Sequence, residues 1–484
     1  MIFLHKTTFI RPTLCLPVVF AILILTGCAT VGPDYVPPKK SVSKDWHTQL
    51  KGGLTTEEMD PQTLAAWWMT FNDPGLSSLI DRAVLGNLDL KKALARVRES
   101  RARRGMAKAD LFPTLDATGS GNWRRSDKDT GSGKTSDLFA ATFDAGWELD
   151  IFGGVRRSVE AAGADLQAIQ DGLRDVLVSL LAEVALNYLD VRTFQVRLTV
   201  AEANLEAQSE TYQLTQWRYG AGLSDELAVQ QARYNLENTR SQIPTLRTRL
   251  EEAMNRIAVL LGEQPGKVHA ELEKREPIPV APLEVAVGVP ADILRRRPDI
   301  QRTERELAAQ TARIGVATAD LYPKFTLSGS IGLEVLSLSN LSSSGTWSLS
   351  GGPRISWAIF KPGAIRQNIE VQSALQEQAL IQYEAAILGA LEEVENALVA
   401  YAGEQQRRDD LRKATRAAQK TVELAQHKYQ AGLTDFSNVL DGQRSLLSFE
   451  DQLAQSDGAV TSNLVRLYKA LGGGWTSLTP DVKK

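Results

Sequence analysis

"FAATFDAGWELDI" occupies residues 139–151, and its odd positions read Phe139, Ala141, Phe143, Ala145, Trp147, Leu149 and Ile151. Thr142, Asp144, Glu148 and Asp150 fall between them. Alternation with period two over about ten residues fits a strand with one face on lipid and one on a wet lumen, as in a membrane β-barrel. Three other stretches share the pattern. In 113–123, Pro113, Leu115, Ala117, Gly119, Gly121 and Trp123 alternate with Thr114, Asp116, Thr118, Ser120 and Asn122. Phe325, Leu327, Ile331, Leu333 and Val335 alternate with Lys324, Thr326, Ser328, Ser330 and Glu334. Trp347, Leu349, Ile355, Trp357 and Ile359 alternate with Ser348, Ser350, Arg354 and Ser356. Trp123, Trp147, Trp347 and Trp357 stand near strand ends, where an interfacial aromatic girdle belongs. A single such hairpin would equally suit a soluble protein packing it on a core. Four matched strands behind an export signal favour the membrane. The loops "RRSDKDTGSGKTSD" and "SLSNLSSSG" are polar and Gly/Ser-rich, as exposed turns should be.

The strands belong to a duplication. At an offset of 210, "AKADLFPTLDATGSG" at 107–121 aligns with "ATADLYPKFTLSGSI" at 317–331, and Leu261-Gly262 with Leu471-Gly472. "YGAGLSDELAVQQAR" from 219 returns as "YQAGLTDFSNVLDGQR" from 429. "DIFGGVRR" at 150 corresponds to "AIFKPGAIR" at 358 with a two-residue slip. Each unit reads helix, extended pair, very long helix, turn, second long helix. Four strands cannot close a barrel, since single-chain barrels start near eight. An open sheet in lipid strands edge amides at several kcal/mol each, so the chain must oligomerise and share one barrel among protomers.

Between 155 and 218 there is no proline, and Val159, Ala162, Leu166, Ile169, Leu173, Val176, Leu180 and Val184 recur at coiled-coil spacing. Leu177, Leu181, Ala185 and Leu189 add a second stripe, as a helix with neighbours on both sides requires. Ile365, Ile369, Ala386, Leu391, Val394 and Leu398 repeat the style in the second unit. About sixty residues at ~1.5 Å each make a helix on the order of 90–100 Å, suited to an aqueous gap rather than a bilayer. The helices after the turns are shorter, so another helix must stack end to end on each. The segments 76–110 and 299–319 are the candidates. Pro244 inside the first of the shorter helices predicts a kink.

The 484 residues carry 55 Lys and Arg against 58 Asp and Glu, a formal charge of -3, with no basic run to bind nucleic acid. His5, His47, His269 and His427 are too scattered for a metal cluster. No P-loop, GxSxG, HExxH or paired CxxC appears, so no enzyme class has candidate residues. Lys6 and Arg11 precede the apolar run "LCLPVVFAILIL", and "LTGC" at 25–28 follows, the plan of an export signal. The ending resembles a bacterial lipobox, which implies cleavage before Cys28 and lipidation of its thiol. The alternative is an uncleaved anchor with an incidental cysteine. With Cys15 in the signal, Cys28 is the one thiol of the mature chain, which leaves no partner for an internal disulfide. Acyl chains there would add about 0.8 kcal/mol per buried methylene. Ala29 after the cysteine favours sorting to the outer membrane, and "VGPDYVPPKK" reads as an extended tether.

Several phrases together resemble the TolC-like outer membrane factors, in their NodT-type lipoprotein branch. They are "LTGCATVGPDY", "WWMTFNDPGLSSLIDRAVLGNLDLKKALARVRESRA", "LFPTLDATGSG", "VPADILRRRPDIQRTERELAAQTARIGVATADLYPKFTLSGSIG" and the two Tyr-x-Ala-Gly-Leu turns. The resemblance implies a mainly α fold with a membrane β-barrel: a homotrimer with a 12-strand β-barrel continuing into a 12-helix periplasmic α-barrel. It implies a passive exit duct of a tripartite efflux system, engaging a periplasmic adaptor and an inner-membrane transporter of the RND type. The cargo would be drugs or other small toxic compounds. The exit duct of a type I protein secretion system is the alternative, and a non-conducting periplasmic coiled-coil lipoprotein is a more remote one. No catalysis and no cofactor are expected beyond diacylglycerol and an N-acyl or palmitoyl chain on Cys28. The expected segments are a signal peptide 1–27, a tether and part of an equatorial domain 28–75, a first repeat 76–262, an equatorial linker 263–298, a second repeat 299–471 and a tail 472–484. Strands are expected at about 112–125, 138–152, 322–337 and 345–360. Helices are expected at about 155–218, 224–262, 364–428 and 434–471.

By the same resemblance the two Gly-Leu turns form the periplasmic tip. Gly222 and Gly432 suit the left-handed end of a helix. Ser224 and Thr434 are expected to cap the next helix, with Asp225 and Asp435 favourable at its positive end. Exposed Leu223 and Leu433 would dock on the adaptor, although good helix-hairpin turns need no such role. Asp435 and Asp441 fall where the family places acidic rings at an aperture, which would favour cations. For Asp441 an ordinary exposed helix charge is the alternative. Asn438 stands where some relatives have another acid, and Ala228 begins the partner helix without one, so the latch contacts do not carry over.

Overall fold

The computed structural model describes residues 30–38, 42–57, 60–125, 127, 129, 133, 135–280, 282, 284–337 and 346–475. The signal segment, Cys28 and most of the expected C-terminal tail lie outside them. In chain order the elements are β1 (Leu54–Thr55), α1 (Pro61–Ala65), a 3-10 turn (Trp67–Phe71), α2 (Pro74–Gly86) and α3 (Leu88–Ala109). The first strand pair and helix hairpin follow: β2 (Thr114–Arg125), β3 (Thr135–Leu149), α4 (Gly154–Gly220) and α5 (Glu226–Leu260). After α6 (His269–Leu272), β4 (Val285–Ala286) and α7 (Pro290–Arg296), the plan returns. It gives α8 (Pro298–Ala319), β5 (Lys324–Val335), β6 (Trp347–Ser356), α9 (Pro362–Gln430) and α10 (Phe436–Ala470). Among the described residues no helix is long and apolar enough to cross a membrane. The chain divides into two compact units, one of residues 1–38, 97–169 and 303–383, the other of the remainder.

The first unit is built on an antiparallel sheet in the order β2-β3-β5-β6. Its register pairs odd residues with odd ones throughout: Ala117 with Phe143, Phe143 with Ile331, and Ile331 with Leu349. Because side chains alternate along a strand, this parity places every apolar set on one face and every polar set on the other. On the polar face Asp144 accepts hydrogen bonds from Thr118 at 2.7 Å and Thr142 at 2.9 Å. The apolar face is open: Leu115, Phe143, Ile331, Leu349 and Ile355 are all exposed. At the base of each hairpin a tryptophan is tied to the preceding turn. Trp147 donates to the Leu111 carbonyl and Trp357 to that of Leu321, both at 3.0 Å. Between the hairpins Phe152 stacks on Tyr322 with ring centroids 4.6 Å apart.

The tether is extended as expected, but it is not loose. The Val31 amide donates to the Phe152 carbonyl at 3.1 Å. The buried Arg157 guanidinium reaches the Val31 carbonyl at 3.1 Å and Asp34 at 2.7 Å. Tyr35 donates to Glu304 at 3.1 Å.

The 76–110 segment is two helices, not one, because Asn87 leaves helical geometry (φ -58°, ψ 132°). Its side-chain oxygen accepts from Leu90 N at 2.9 Å and starts α3, while its amide donates to the Leu260 carbonyl at the end of α5, at 2.8 Å. One side chain thus caps both helices, so α5 abuts the start of α3 end to end, as the shortness of α5 demands. The backbones meet closely: a Cβ on Gly86 would lie 2.0 Å from the Leu261 carbonyl oxygen. Arg297, 210 residues on, shares the donor half of this role at the second joint, giving a hydrogen bond to the Ala470 carbonyl at 2.7 Å. Arg297 also pairs with Asp299 at 2.8 Å and Glu393 at 2.7 Å. α5 carries Pro244 on its exposed side without ending there.

Around these joints the early chain and the 263–298 linker interlock. β1 pairs with β4 in parallel, and Trp46 donates to the Gly288 carbonyl at 2.9 Å. Glu395 accepts from the backbone amides of His47 and Thr48 at 2.7 and 3.0 Å. Trp67 stacks on Tyr468 at 5.6 Å.

Candidate functional site: the helix-hairpin turns

α4 and α9 end identically. Leu223 N donates to Arg218 O at 2.8 Å and Gly222 N to Tyr219 O at 3.0 Å; Leu433 N donates to Lys428 O at 2.8 Å and Gly432 N to Tyr429 O at 3.0 Å. These are paired six-to-one and five-to-two bonds around a left-handed residue, the Schellman arrangement. Gly222 has φ +72° and Gly432 φ +73°, a conformation that costs other residues because of their Cβ.

In such a motif the residue after the glycine commonly packs back on the helix it ends. Here Leu223 and Leu433 are instead 67% and 76% exposed, and the residues they would pack on are Arg218 and Lys428. Leu223 is open beside exposed Trp217 and Leu227 in the first hairpin, and Leu433 is open in the second.

The caps sit one residue later than expected. Asp225, not Ser224, is the N-cap of α5, its carboxylate accepting Ala228 N at 2.8 Å. Asp435, not Thr434, holds the N-cap position of α10, and its side chain makes no capping bond. The Schellman turn uses the glycine and leucine to reverse the chain, so the next residue is still in the loop and the aspartate is the first to meet the new helix. Thr434 instead accepts a hydrogen bond from the Asn438 amide at 2.9 Å. The Asp435 carboxylate, exposed at the positive end of α10, is left for other work.

Asp441, one and a half turns into α10, is exposed and paired with Arg444 at 3.3 Å. Arg444 also donates to Asn235 of α5 at 3.2 Å and lies over the Tyr234 ring at 5.6 Å. An exposed ion pair of this kind contributes about 0.2–1 kcal/mol, so it breaks easily. The sequence reading missed Arg444, whose signal was its position three residues after Asp441 on the same helix face.

Beneath the turns Ala228, Ala232, Ala425, Tyr429, Phe436, Val439 and Leu440 form a buried cluster. Tyr429 and Phe436 are 5.1 Å apart, and the Arg218 guanidinium caps the Tyr429 ring at 4.6 Å. This cluster joins α5, α9 and α10 beneath the turns, with Tyr212 of α4 packed against it. Among the described residues no group of three His, Cys, Asp or Glu side chains could hold a metal ion. The turns thus carry exposed apolar side chains and the carboxylates of Asp435 and Asp441 above a buried cluster.

The outer membrane efflux protein profile matches residues 79–263 and 289–473, one match for each repeat. Nodulation protein T of Rhizobium leguminosarum bv. trifolii is 33% identical over 465 residues, covering 94% of this chain and 96% of that protein. Solvent efflux pump outer membrane protein SrpC of Pseudomonas putida is also 33% identical over 465 residues, covering 94% of this chain and 97% of its own. A solved structure of the outer-membrane channel OprN superposes with a TM-score of 0.87 at 36% identity, covering 92% of this chain and 100% of that one. With a one-sided four-strand sheet, duplicated helix hairpins and these likenesses together, the chain belongs to the outer membrane efflux protein family.

Proposed function

We propose that three copies of this chain assemble into a passive exit duct of a tripartite efflux system, spanning the outer membrane and reaching into the periplasm. The observation that carries the reading is the sheet. One face is apolar and the other polar, while β2 and β6 leave free edges that lipid does not tolerate. Three sets of four strands make a 12-strand barrel, above the roughly eight strands at which side chains fill the interior. The duct does no catalysis. Its energy comes from an inner-membrane transporter of the RND type through a periplasmic adaptor, and its cargo is drugs or other small toxic compounds.

Leu223 and Leu433 dock the adaptor, supported by their exposure on turns that stand over a buried cluster. Asp435 and Asp441, each repeated three times about the axis, form the acidic aperture and favour cations. Cys28 carries the lipid. The bond from the Val31 amide to the Phe152 carbonyl, close after β3, supports this reading, since it holds the described start of the chain near the end of the sheet.

Single-channel recording of the purified trimer in a planar bilayer tests the reading. Low conductance is expected, rising when the tip is loosened by Arg444→Ala. No conductance from either protein would overturn the duct.

A further inference from the structure

Two apolar clusters follow one another along the helices that leave the turns. The cluster beneath the turns ends at Ala232 on α5 and Leu440 on α10. The next one, farther from the turns, consists of Leu198, Ala201, Ile243 and Leu246, with Phe194, Leu205 and Leu250 packed against it. The buried side chains between the two are mostly polar. On α4 there is Gln208, on α5 Asn235 and Thr239 beside Leu236, and on α10 Gln443. They share one seam. Gln443 donates to the Thr211 hydroxyl at 2.8 Å and Asn204 to Glu450 at 2.7 Å, with Gln208 between Thr211 and Asn204 on α4. Asn235 accepts from Arg444 at 3.2 Å. α4 and α5 run antiparallel from their turn, with Glu202 3.5 Å from Arg247, so Gln208 stands within a turn of Thr239. The second hairpin has no such layer. Shifted by 210, Gln208 and Thr239 become Ala418 and Phe449, and α9 buries Ala418, Val422 and Ala425.

Much of this layer is sealed from solvent and unmatched. Among the described residues nothing hydrogen-bonds either amide atom of Gln208, the Asn235 Nδ2, the Thr239 hydroxyl or the Gln443 Oε1. All four residues are at most 4% exposed. Exchanging the oxygen and nitrogen of Gln208 cures nothing, because both ends of its amide are without a partner. Thr239 also departs from Thr211, Thr215 and Thr248, whose hydroxyls each bond the carbonyl four residues back. Burying such atoms unpaired carries their full desolvation cost, and a buried site with several polar groups is where proteins hold water.

We propose that ordered water occupies this seam, bridging Gln208, Asn235, Thr239 and Gln443, and that the wet layer is a joint at which the turns move apart from the helices beyond it. Apolar side chains interlock in one close-packed arrangement and resist a small shift. A water-bridged amide gives way more easily, since the water donates and accepts in several directions. The bonds that hold α10 across the seam, from Gln443 to Thr211 and from Arg444 to Asn235, lie beside these spare donors and acceptors. A displacement of α10 therefore exchanges one hydrogen bond for another. The layer lies within one chain and does not depend on the exit-duct reading.

A crystal structure of the full-length protein tests the water, and hydrogen exchange read by mass spectrometry tests the joint. Water is expected within about 3.2 Å of the Gln208 amide. Direct pairing among Gln208, Asn235, Thr239 and Gln443, with no water between them, overturns the hydration. In the wild type, amides 226–236 are expected to exchange faster than 243–257 on the same helix; equal protection of the two overturns the joint. Gln208→Leu with Thr239→Val removes the unmatched groups at nearly constant volume and leaves the Gln443 and Arg444 bonds in place. It is expected to slow exchange at 226–236 by about tenfold and to leave 411–429 of α9 unchanged. A folded double variant with wild-type exchange at 226–236 overturns the joint, as does equal slowing along α9. Should the double variant melt early, Gln208→Met alone, the milder change, is read in the same way.

Discussion

Leu433→Asp, alone and combined with Leu223→Asp, separates docking from folding at the tip. Both side chains are more than two-thirds exposed and lie outside the cluster beneath them, so the fold should feel the changes by no more than about 0.5 kcal/mol. Burying a leucine completely is worth about 1.5–3 kcal/mol, and with 76% of Leu433 still open some ~2 kcal/mol remains to be gained on docking. Losing it at a single turn is a factor of roughly 30 in affinity. In the proposed trimer three copies of each turn act together, so the loss compounds through avidity.

The assay is biosensor binding of the purified channel to its periplasmic adaptor, with a thermal melt of each variant as the folding control. We expect an unchanged melt, at least a thirtyfold weaker complex and loss of export in cells at normal protein level. Wild-type affinity from a correctly folded double variant would refute the argument, since it would mean that the exposed leucines stay in water after docking.

Three further outcomes are open to measurement. Asn87→Ala removes a helix cap and the bond to the Leu260 carbonyl, each worth about 1 kcal/mol, so thermal stability should fall by about 2 kcal/mol. Asn87→Asp keeps the α3 cap but loses the bond to the Leu260 carbonyl and turns a carboxylate on the negative end of α5, so hydrogen exchange at 88–92 should rise in Asn87→Ala and stay nearer wild type in Asn87→Asp.

Burial opposes ionisation of Asp299, but the Arg297 hydrogen bond and charge outweigh it and hold the carboxyl below its ordinary value. Its contribution is therefore present above the unfolded value of about 4 and lost as pH falls through the lower folded value, a slope in melting temperature that Asp299→Asn should abolish. Asp175 has the opposite sign: burial and the Asp299 charge push it up, so Asp175→Asn should stabilise the protein at neutral pH. Mass spectrometry of the mature protein should find Cys28 acylated and the Cys28→Ser variant without lipid; a bare wild-type thiol defeats the lipidation.

The strand alternation and the Gly-Leu turns were legible because each depends on residues close in sequence. A period of two between Phe139 and Ile151 has few other physical meanings, and a glycine before a leucine at a helix end specifies its own left-handed turn. The duplication was legible because copying preserves side chains in order. It also located the helix hairpins, with α4 at Gly154–Gly220 where about 155–218 was expected. The caps were misplaced by one residue because Ser, Thr and Asp are all competent caps, and only the path of the turn decides which one meets the first free amide.

What the sequence by itself determined is thus the periodic and the repeated: one-sided strands, long helices, two matched turns and a membrane address. The tertiary structure decided the contacts between distant residues. Asn87 and Arg297 occupy matching places in the two repeats and both donate to the last carbonyl of a helix, Leu260 in one and Ala470 in the other. No comparison of residue types pairs an asparagine with an arginine. Either can donate to the same carbonyl, so their common role follows from position in space, as does the docking of Arg157 on the tether and the exposure of Leu433 at the tip.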